Sequence, residues 1–369
     1  MATILDYIAW RGDVRLAVSP FNDVDALILS QISYLNFDGL LAADFSKKVK
    51  LSELAEQFRS AADFQARSDM GALINSLSVE LLFAAGASRR FGAMKVCGYV
   101  NRISTAEVKQ FAALTFDTGD RHKFIAFRGT DDTIVGWNED FNLGFMKEVP
   151  SQHDALEYVN TACALLSGEI RIGGHSKGGN LAVYAGAYIK KRYRRRLKCI
   201  YNNDGPGFLE DTIRLPEFQN LAPKVHSFYP QFSIVGMLFS HIGGYAVVES
   251  EQSGIMQHDP FSWHVERSSF VTLDGFDKGS IVFQKTFNAW FGALNGADRE
   301  LFVSTLFTII QATDARTNSE LEKNWLANSR KIVKALIALP SETRGEVLKI
   351  IQLLFHAAKK NVPQLMGLG

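Results

Sequence analysis

The stretch EIRIGGHSKG, residues 169–178, decides how this chain folds. Ile170 and Ile172 predict a short buried strand, and the residues from Lys177 onward predict a helix. The pattern Gly-x-Ser-x-Gly between them places Ser176 on a sharp strand-to-helix turn, and its two glycines remove Cβ atoms that would contact the strand and the helix. We therefore predict that Ser176 is a nucleophile and that the amide of Lys177 points at the oxygen that becomes negative during attack. The alternative is a tight glycine turn capped by a serine.

Short apolar runs alternate with helical patterns through the middle of the chain. Runs of strand type stand at residues 95–100, 111–116, 123–127, 169–173, 198–201, 224–229 and 244–249. Strands that alternate with helices form a mostly parallel sheet covered on both faces. We therefore predict an α/β fold with a catalytic core at residues 94–279, a mainly helical segment at 1–93 that packs on it, and a C-terminal helical region at 280–369.

Charge and cysteine content exclude several kinds of partner and site. The 40 basic residues against 39 acidic ones leave a net charge of +1, which offers no general attraction to nucleic acid. The three cysteines show no CxxC pair or zinc-like spacing, and no phosphate-binding or dinucleotide motif occurs, so we expect neither a metal nor another cofactor. No apolar run reaches the roughly 18 residues of a membrane helix, and the first residues lack the order of a secretory signal. We expect a cytoplasmic protein without a transmembrane segment; peripheral membrane contact and oligomeric state stay open.

A second turn, upstream of the serine, carries a family resemblance. The run FRGT, residues 127–130, ends a predicted strand, and Trp137 and Asp140 follow it. Together with GHSKGG at 174–179, this order resembles the class 3 lipases. The resemblance implies the α/β-hydrolase fold and a role for Thr130, whose backbone amide and hydroxyl would help to bind the oxyanion. The alternative is that the run only forms a strand-ending turn.

Eight histidines supply candidates for the base that removes the serine proton. In the α/β-hydrolase fold the chain order is nucleophile, acid, histidine, which leaves the five histidines after Ser176. We choose His258, because it lies in a turn-rich loop beyond the last predicted strand, where class 3 lipases also place their histidine. His264 is the nearest rival, and His241 stands before that strand. A role in capping the turn is the alternative for His258.

The acid departs from the class 3 lipase pattern. That family keeps an aspartate after the penultimate strand, where this chain carries Ser233. One strand earlier, Asp204 begins the run DGPGF, which is similar to the segment that holds the acid in pancreatic-type lipases. Because a triad is defined by roles rather than by sequence position, we predict Asp204 as the acid, with a simple turn as the alternative. The other carboxylates of this part of the chain are Glu217, Glu249 and Glu251.

The chain as a whole resembles one lipase-like α/β-hydrolase family that is common in Gram-positive Firmicutes. Residues 5–7, 21–22 and 257–263 carry this resemblance. The expected reaction is hydrolysis of a small-molecule or lipid carboxylic ester through an acyl-enzyme on Ser176. One alternative is an amidase or peptidase that uses the same residues. The other is a binding or regulatory protein on a hydrolase scaffold whose triad has decayed.

Two further patterns favour structural roles. The basic run at 190–198 stands near the end of the helix predicted at 180–192, where cations complement the helix dipole; a patch that binds anions or lipid headgroups is the alternative. In the C-terminal region an apolar stripe predicts core packing rather than a lid over the site. This stripe consists of Phe302, Leu306, Ile309 and Ile310.

Overall fold

A nine-stranded sheet forms the centre of the computed structural model, which describes residues 2–71, 74–323 and 325–361. Its strands, in spatial order, are β1 (Val49–Lys50), β2 (Lys95–Ser104), β3 (Lys109–Asp117), β4 (His122–Phe127), β5 (Glu169–His175), β6 (Leu197–Asn203), β7 (Val225–Pro230), β8 (Tyr245–Val248) and β11 (Thr272–Leu273). A separate ribbon pairs β9 (Val265–Glu266) with β10 (Ser269–Phe270). Strands β4 to β8 are parallel, and the pairs at both edges are antiparallel.

The helices fall into three groups along the chain. The first group is α1 (Ile4–Arg11), α2 (Asp23–Ile32), α3 (Leu51–Arg59), α4 (Phe64–Ser68) and α5 (Leu77–Ala87). The second is α6 (Ile134–Asn142), α7 (Pro150–Leu165), α8 (Lys177–Tyr188), α9 (Glu210–Ile213) and α10 (Pro216–Gln219). The third is α11 (Lys278–Gly292), α12 (Gly296–Gln311), α13 (Asn318–Lys323), α14 (Trp325–Ala338) and α15 (Ser341–Asn361). Within the described ranges no helix is long and apolar enough to cross a membrane.

Both faces of the sheet are buried, as the continuous apolar strands require. In β4, Phe124 and Ala126 pack with the N-terminal helices, whereas Ile125 and Phe127 pack with α7 and α8 on the opposite face. Successive side chains of a strand point to opposite faces, so one short run supplies both cores. This doubly covered, mostly parallel sheet confirms the predicted α/β-hydrolase fold.

Helix α8 ends at Tyr188, so the prediction of a helix to residue 192 is wrong at its end. The amide of Lys190 donates to the side-chain oxygen of Asn160 on α7 at 3.0 Å, and the chain leaves the helix at Ile189. The basic run therefore follows the helix instead of ending it. Within the run, Arg196 donates to the carbonyl oxygens of Cys163 and Leu166 at 2.5 Å each, which satisfies the C-terminal end of α7.

The carboxyl ends of β5 and β6 lie side by side, because these strands are parallel neighbours. Ser176 directly follows β5 and Asp204 directly follows β6. The loop after β8 returns over the same edge and carries His258. The topology thus gathers three predicted site residues at one edge of the sheet, the usual location of ligand sites in such sheets.

Candidate active site

Ser176 occupies a strained turn between β5 and α8. Its φ of 56° and ψ of −134° are a conformation that residues with a Cβ rarely adopt and that occurs where the surrounding structure enforces it. A Cβ on Gly174 would lie 2.3 Å from the carbonyl carbon of Gly178, and a Cβ on Gly178 would lie 2.2 Å from the carbonyl oxygen of Phe127. The glycines of the motif are therefore required by close backbone approach.

Asp204 and His258 form a hydrogen-bonded pair above the sheet edge. Nδ1 of His258 lies 2.6 Å from Oδ2 of Asp204, whose side chain is fully buried. Because an ionised carboxylate only accepts, Nδ1 carries the proton and Nε2 is left as an acceptor. His258 and Ser176 line the same cavity. His258, hydrogen-bonded to Asp204, therefore shares one cavity with Ser176.

Ser233 holds the other oxygen of the same carboxylate. Its Oγ donates to Oδ1 of Asp204 at 2.5 Å, and the side chain is buried in the loop that follows β7. This is the position at which the class 3 lipase resemblance implies an aspartate, so the sequence pointed to the place but not to the role. The two hydrogen bonds fix the orientation of the carboxylate towards His258.

His175 forms a hydrogen bond to the loop that carries His258. Its Nε2 lies 2.9 Å from the carbonyl oxygen of His258, which can only accept, so this nitrogen carries a proton. Nδ1 then accepts from the hydroxyl of Tyr34 at 3.0 Å. Burial lowers the pKa of His175 well below its usual value, which agrees with a neutral ring. The position of His175 before Ser176 in the chain excludes it as the base on this fold, and no pattern in the sequence indicates its contact with the loop.

The expected oxyanion donors lie at the same end of the sheet. The hydroxyl of Thr130 donates to Oδ2 of Asp140, and burial raises the pKa of that carboxyl to about 6. The amide of Thr130 has no acceptor among the described residues. Lys177 is the first residue of α8, where backbone amides lack an acceptor within the helix. The two amides are therefore free to donate, whereas the hydroxyl of Thr130 is engaged.

The side chain of Lys177 has buried partners that no pattern in the sequence indicates. Its buried Nζ lies 2.9 Å from Oε2 of Glu139 on α6 and 2.7 Å from Oε1 of Gln110 on β3. Glu139 also accepts from the amides of Gln110 at 3.0 Å and Ser151 at 2.8 Å. Within this cluster the ammonium group of Lys177 is paired with the carboxylate of Glu139. The hydrogen bonds of the two side chains connect the serine turn to β3, α6 and the start of α7.

The rival residues lie elsewhere. Nδ1 of His264 is 3.1 Å from Oε2 of Glu249, with Glu251 at 3.8 Å from Nε2, and none of the three lines the cavity. His241 bonds the hydroxyl of Tyr229 at 2.8 Å, and burial lowers its pKa to about 4. Glu217 lies on α10. Among the described residues no cluster of three or more histidines, cysteines or carboxylates could hold a metal ion.

An apolar cavity of about 580 Å³ lies over Ser176. Helices α6, α11 and α12 and the loop before β8 supply most of the apolar side chains of its wall. Phe302, which we assigned to the core, lines this cavity and packs on Trp290 at 5.6 Å between ring centroids, whereas Ile309 is buried. The apolar wall comprises Ile74, Trp137, Phe141, Phe145, Ile234, Val235, Leu238, Phe239, Ile255, Met256, Phe283, Phe287, Trp290, Phe291, Leu294, Phe302 and Val303. Such a wall suits a long apolar group bound beside the serine.

A family model described as Mbeg1-like matches residues 85–308. Among curated proteins none matches. Among solved structures, the chain is similar to a fungal lipase at 13% identity and a TM-score of 0.39, over 69% of this chain and 86% of that one. It is also similar to a mutant form of MDLA from Penicillium cyclopium at 14% identity and a TM-score of 0.36, over 62% of this chain and 86% of that one.

Proposed function

The chain belongs to the Mbeg1-like family, and we propose that it is a serine hydrolase that cleaves carboxylic esters through an acyl-enzyme on Ser176. One observation carries the proposal. Nδ1 of His258 donates to the buried Asp204 at 2.6 Å, and His258 lines the same cavity as Ser176, which sits on its strained turn. Nucleophile, base and orienting acid then have the roles and the chain order that acyl transfer on this fold requires.

In the proposed reaction, Oγ of Ser176 attacks the ester carbonyl carbon and its proton passes to Nε2 of His258. Asp204 stabilises the resulting imidazolium, and the amides of Thr130 and Lys177 bind the oxyanion. The leaving alcohol takes the proton from His258 as the acyl-enzyme forms. Water then repeats the sequence and releases the acid. Each oxyanion donor contributes about 2.7–4 kcal/mol to the stabilisation of the transition state.

The cavity favours esters with a long apolar chain. Its wall is made mostly of aromatic and aliphatic side chains, and each methylene group that enters it gains about 0.8 kcal/mol. An ester series of increasing chain length is therefore expected to show kcat/KM rising by up to about fourfold per methylene until the cavity is full. Amide analogues of the same chain lengths test the amidase alternative in the same assay.

Labelling with a fluorophosphonate probe tests the nucleophile directly. The folded protein is expected to be labelled at Ser176, and Ser176→Ala is expected to abolish both labelling and ester turnover. Ser304→Ala is the matched control, because Ser304 is exposed on α12 and does not line the cavity. No labelling of the folded protein, or labelling that survives Ser176→Ala, would refute the proposal and favour a binding or regulatory role.

A further inference from the structure

Helices α14 and α15 expose apolar and basic side chains on the same faces, and we propose that these faces dock the protein on an anionic lipid bilayer. The proposal does not depend on the proposed catalytic activity. We define the docking face as the exposed apolar residues that form one stripe along each of the two helices, together with the cations that share these stripes. Its members are Leu326, Arg330, Val333, Lys334, Ile337, Arg344, Leu348, Phe355 and Lys359.

On α14 the apolar side chains form a single exposed stripe. Leu326 is 65% exposed, Val333 52% and Ile337 64%. Their spacing of seven and four residues places them one above the other on one side of the helix. Arg330 stands within this stripe, and Lys334 lies directly beside it. The inner side of the helix, by contrast, buries Asn328, which donates to carbonyl oxygens of α13.

On α15 the same arrangement recurs. Leu348 is 48% exposed and Phe355 70% exposed, and they lie seven residues apart on one side of the helix. Arg344 stands four residues before Leu348, and Lys359 four residues after Phe355. The opposite side of α15 packs against α11 near Trp290. Each helix thus has one face attached to the protein and one face that presents apolar side chains between cations.

The net charge of residues 325–361 favours an anionic partner. Residues 325–361 contain seven lysines and arginines and two glutamates, so their net charge is +5, whereas the whole chain carries +1. Among the described residues Lys331 pairs with Asp314 at 2.9 Å, and no ion pair is found for the other six cations. A second copy of the chain would bring like charges together, which disfavours self-association through this face.

An anionic bilayer satisfies both parts of the docking face. Exposed apolar side chains enter the boundary between headgroups and acyl chains, and flanking cations bind the acidic headgroups. A basic residue near such a surface strengthens binding by about fivefold. Docking would hold the hydrolase at the surface where apolar esters accumulate.

Vesicle sedimentation of the full chain tests the proposal. We expect binding to vesicles of phosphatidylcholine with about 30% phosphatidylglycerol, at least tenfold weaker binding to phosphatidylcholine alone, and a loss of about tenfold or more between 50 and 500 mM NaCl. The triple variant Leu326→Ser, Val333→Ser, Ile337→Ser is expected to bind at least tenfold more weakly at unchanged charge. The single change Ile337→Ser, expected to weaken binding about threefold or more, repeats the test if the triple variant does not fold.

Charge variants separate this face from general attraction. Arg330→Gln with Lys334→Gln is expected to weaken binding to the anionic vesicles by about tenfold or more. The matched control, Lys47→Gln with Lys95→Gln, makes the same change of charge at two exposed lysines far along the chain and is expected to leave binding within twofold. The proposal would be overturned by equal binding to both vesicle types or by equal effects of the two charge variants. It would also be overturned if the protein were a dimer in solution that dissociates in the triple variant. Ester turnover plays no part in these measurements, so their outcome is separate from that of the proposed activity.

Discussion

Replacing Asp204 with asparagine probes the centre of the proposed mechanism. In the protein Oδ2 of Asp204 accepts from His258 at 2.6 Å, and Oδ1 accepts from Ser233 at 2.5 Å. An amide nitrogen that faces His258 would donate to Nδ1 and leave the proton on Nε2, where the ring cannot accept the serine proton. An amide nitrogen that faces Ser233 would keep the tautomer but remove the charge that stabilises the imidazolium. Both orientations therefore impair the base.

The expected size of the effect follows from these contacts. Loss of the orienting carboxylate lowers kcat by up to about 10⁴-fold, which corresponds to about 5.5 kcal/mol in the activation barrier. KM is expected to change little, because Asp204 is fully buried and does not line the cavity. The split between a large loss in kcat and a small change in KM distinguishes this role from damage to the cavity.

Ester turnover over a range of substrate concentrations measures both constants, and circular dichroism with a melting curve checks the fold of Asp204→Asn. A second arm adds Ser233→Asp to this variant. Because Oγ of Ser233 lies 2.5 Å from the original carboxylate, we expect an aspartate at this position to recover at least tenfold of the lost kcat. Retention of activity within tenfold in folded Asp204→Asn would refute the reasoning, as would an equal loss from Glu249→Gln.

Three further outcomes test the rest of the site. His258→Ala is expected to remove nearly all turnover at neutral pH while His264→Ala keeps most of it, and a reversal would make the base assignment wrong. Glu139→Gln is expected to lower the free energy of unfolding by about 1–3 kcal/mol, because it removes the carboxylate 2.9 Å from the buried Nζ of Lys177 and leaves Asp140, at 3.8 Å, as the counter-charge. Urea unfolding measures this loss, and adding Lys177→Met is expected to reduce it. Burial lowers the pKa of His241 from 6.5 to about 4, so the unfolded chain binds more protons in this range and stability falls as the pH drops through it. We expect His241→Gln to reduce the slope of the unfolding free energy against pH by up to about 1.4 kcal/mol per pH unit. An unchanged slope between pH 7 and 5 would contradict the lowered pKa of His241.

The turn that carries Ser176 could be predicted because its determinants are local. A strand, a turn with glycines two residues on either side of Ser176, and a helix are all encoded within residues 169–188. The parallel sheet followed from the alternation of strands and helices, because strands that are consecutive in the chain usually lie side by side in a sheet. The end of α8 could not be predicted, since the side chain of Asn160, on another helix, captures the amide of Lys190.

Roles that join distant parts of the chain required the tertiary structure. Sequence order and loop position favoured Asp204 and His258, 54 residues apart, but their distance of 2.6 Å depends on how β6 and the loop after β8 meet. No pattern in the sequence indicates the hydrogen bond from Ser233 to Asp204 or the one from Tyr34 to His175, 141 residues away. A polar side chain in the sequence needs a hydrogen-bond partner, but the sequence does not show which distant group will be that partner.

The sequence by itself determined the fold class, the serine turn and the small set of residues from which base and acid were chosen, because periodicity, glycine placement and chain order act over short spans. Only the tertiary structure decided that the side chain of Lys177 is buried against Glu139, that the hydroxyl of Thr130 is engaged by Asp140, and that α11 and α12 wall the cavity. An apolar stripe in the sequence does not show whether its side chains face a core or a cavity, because both environments remove them from water. Which surface it meets is decided by the packing of whole helices on the sheet.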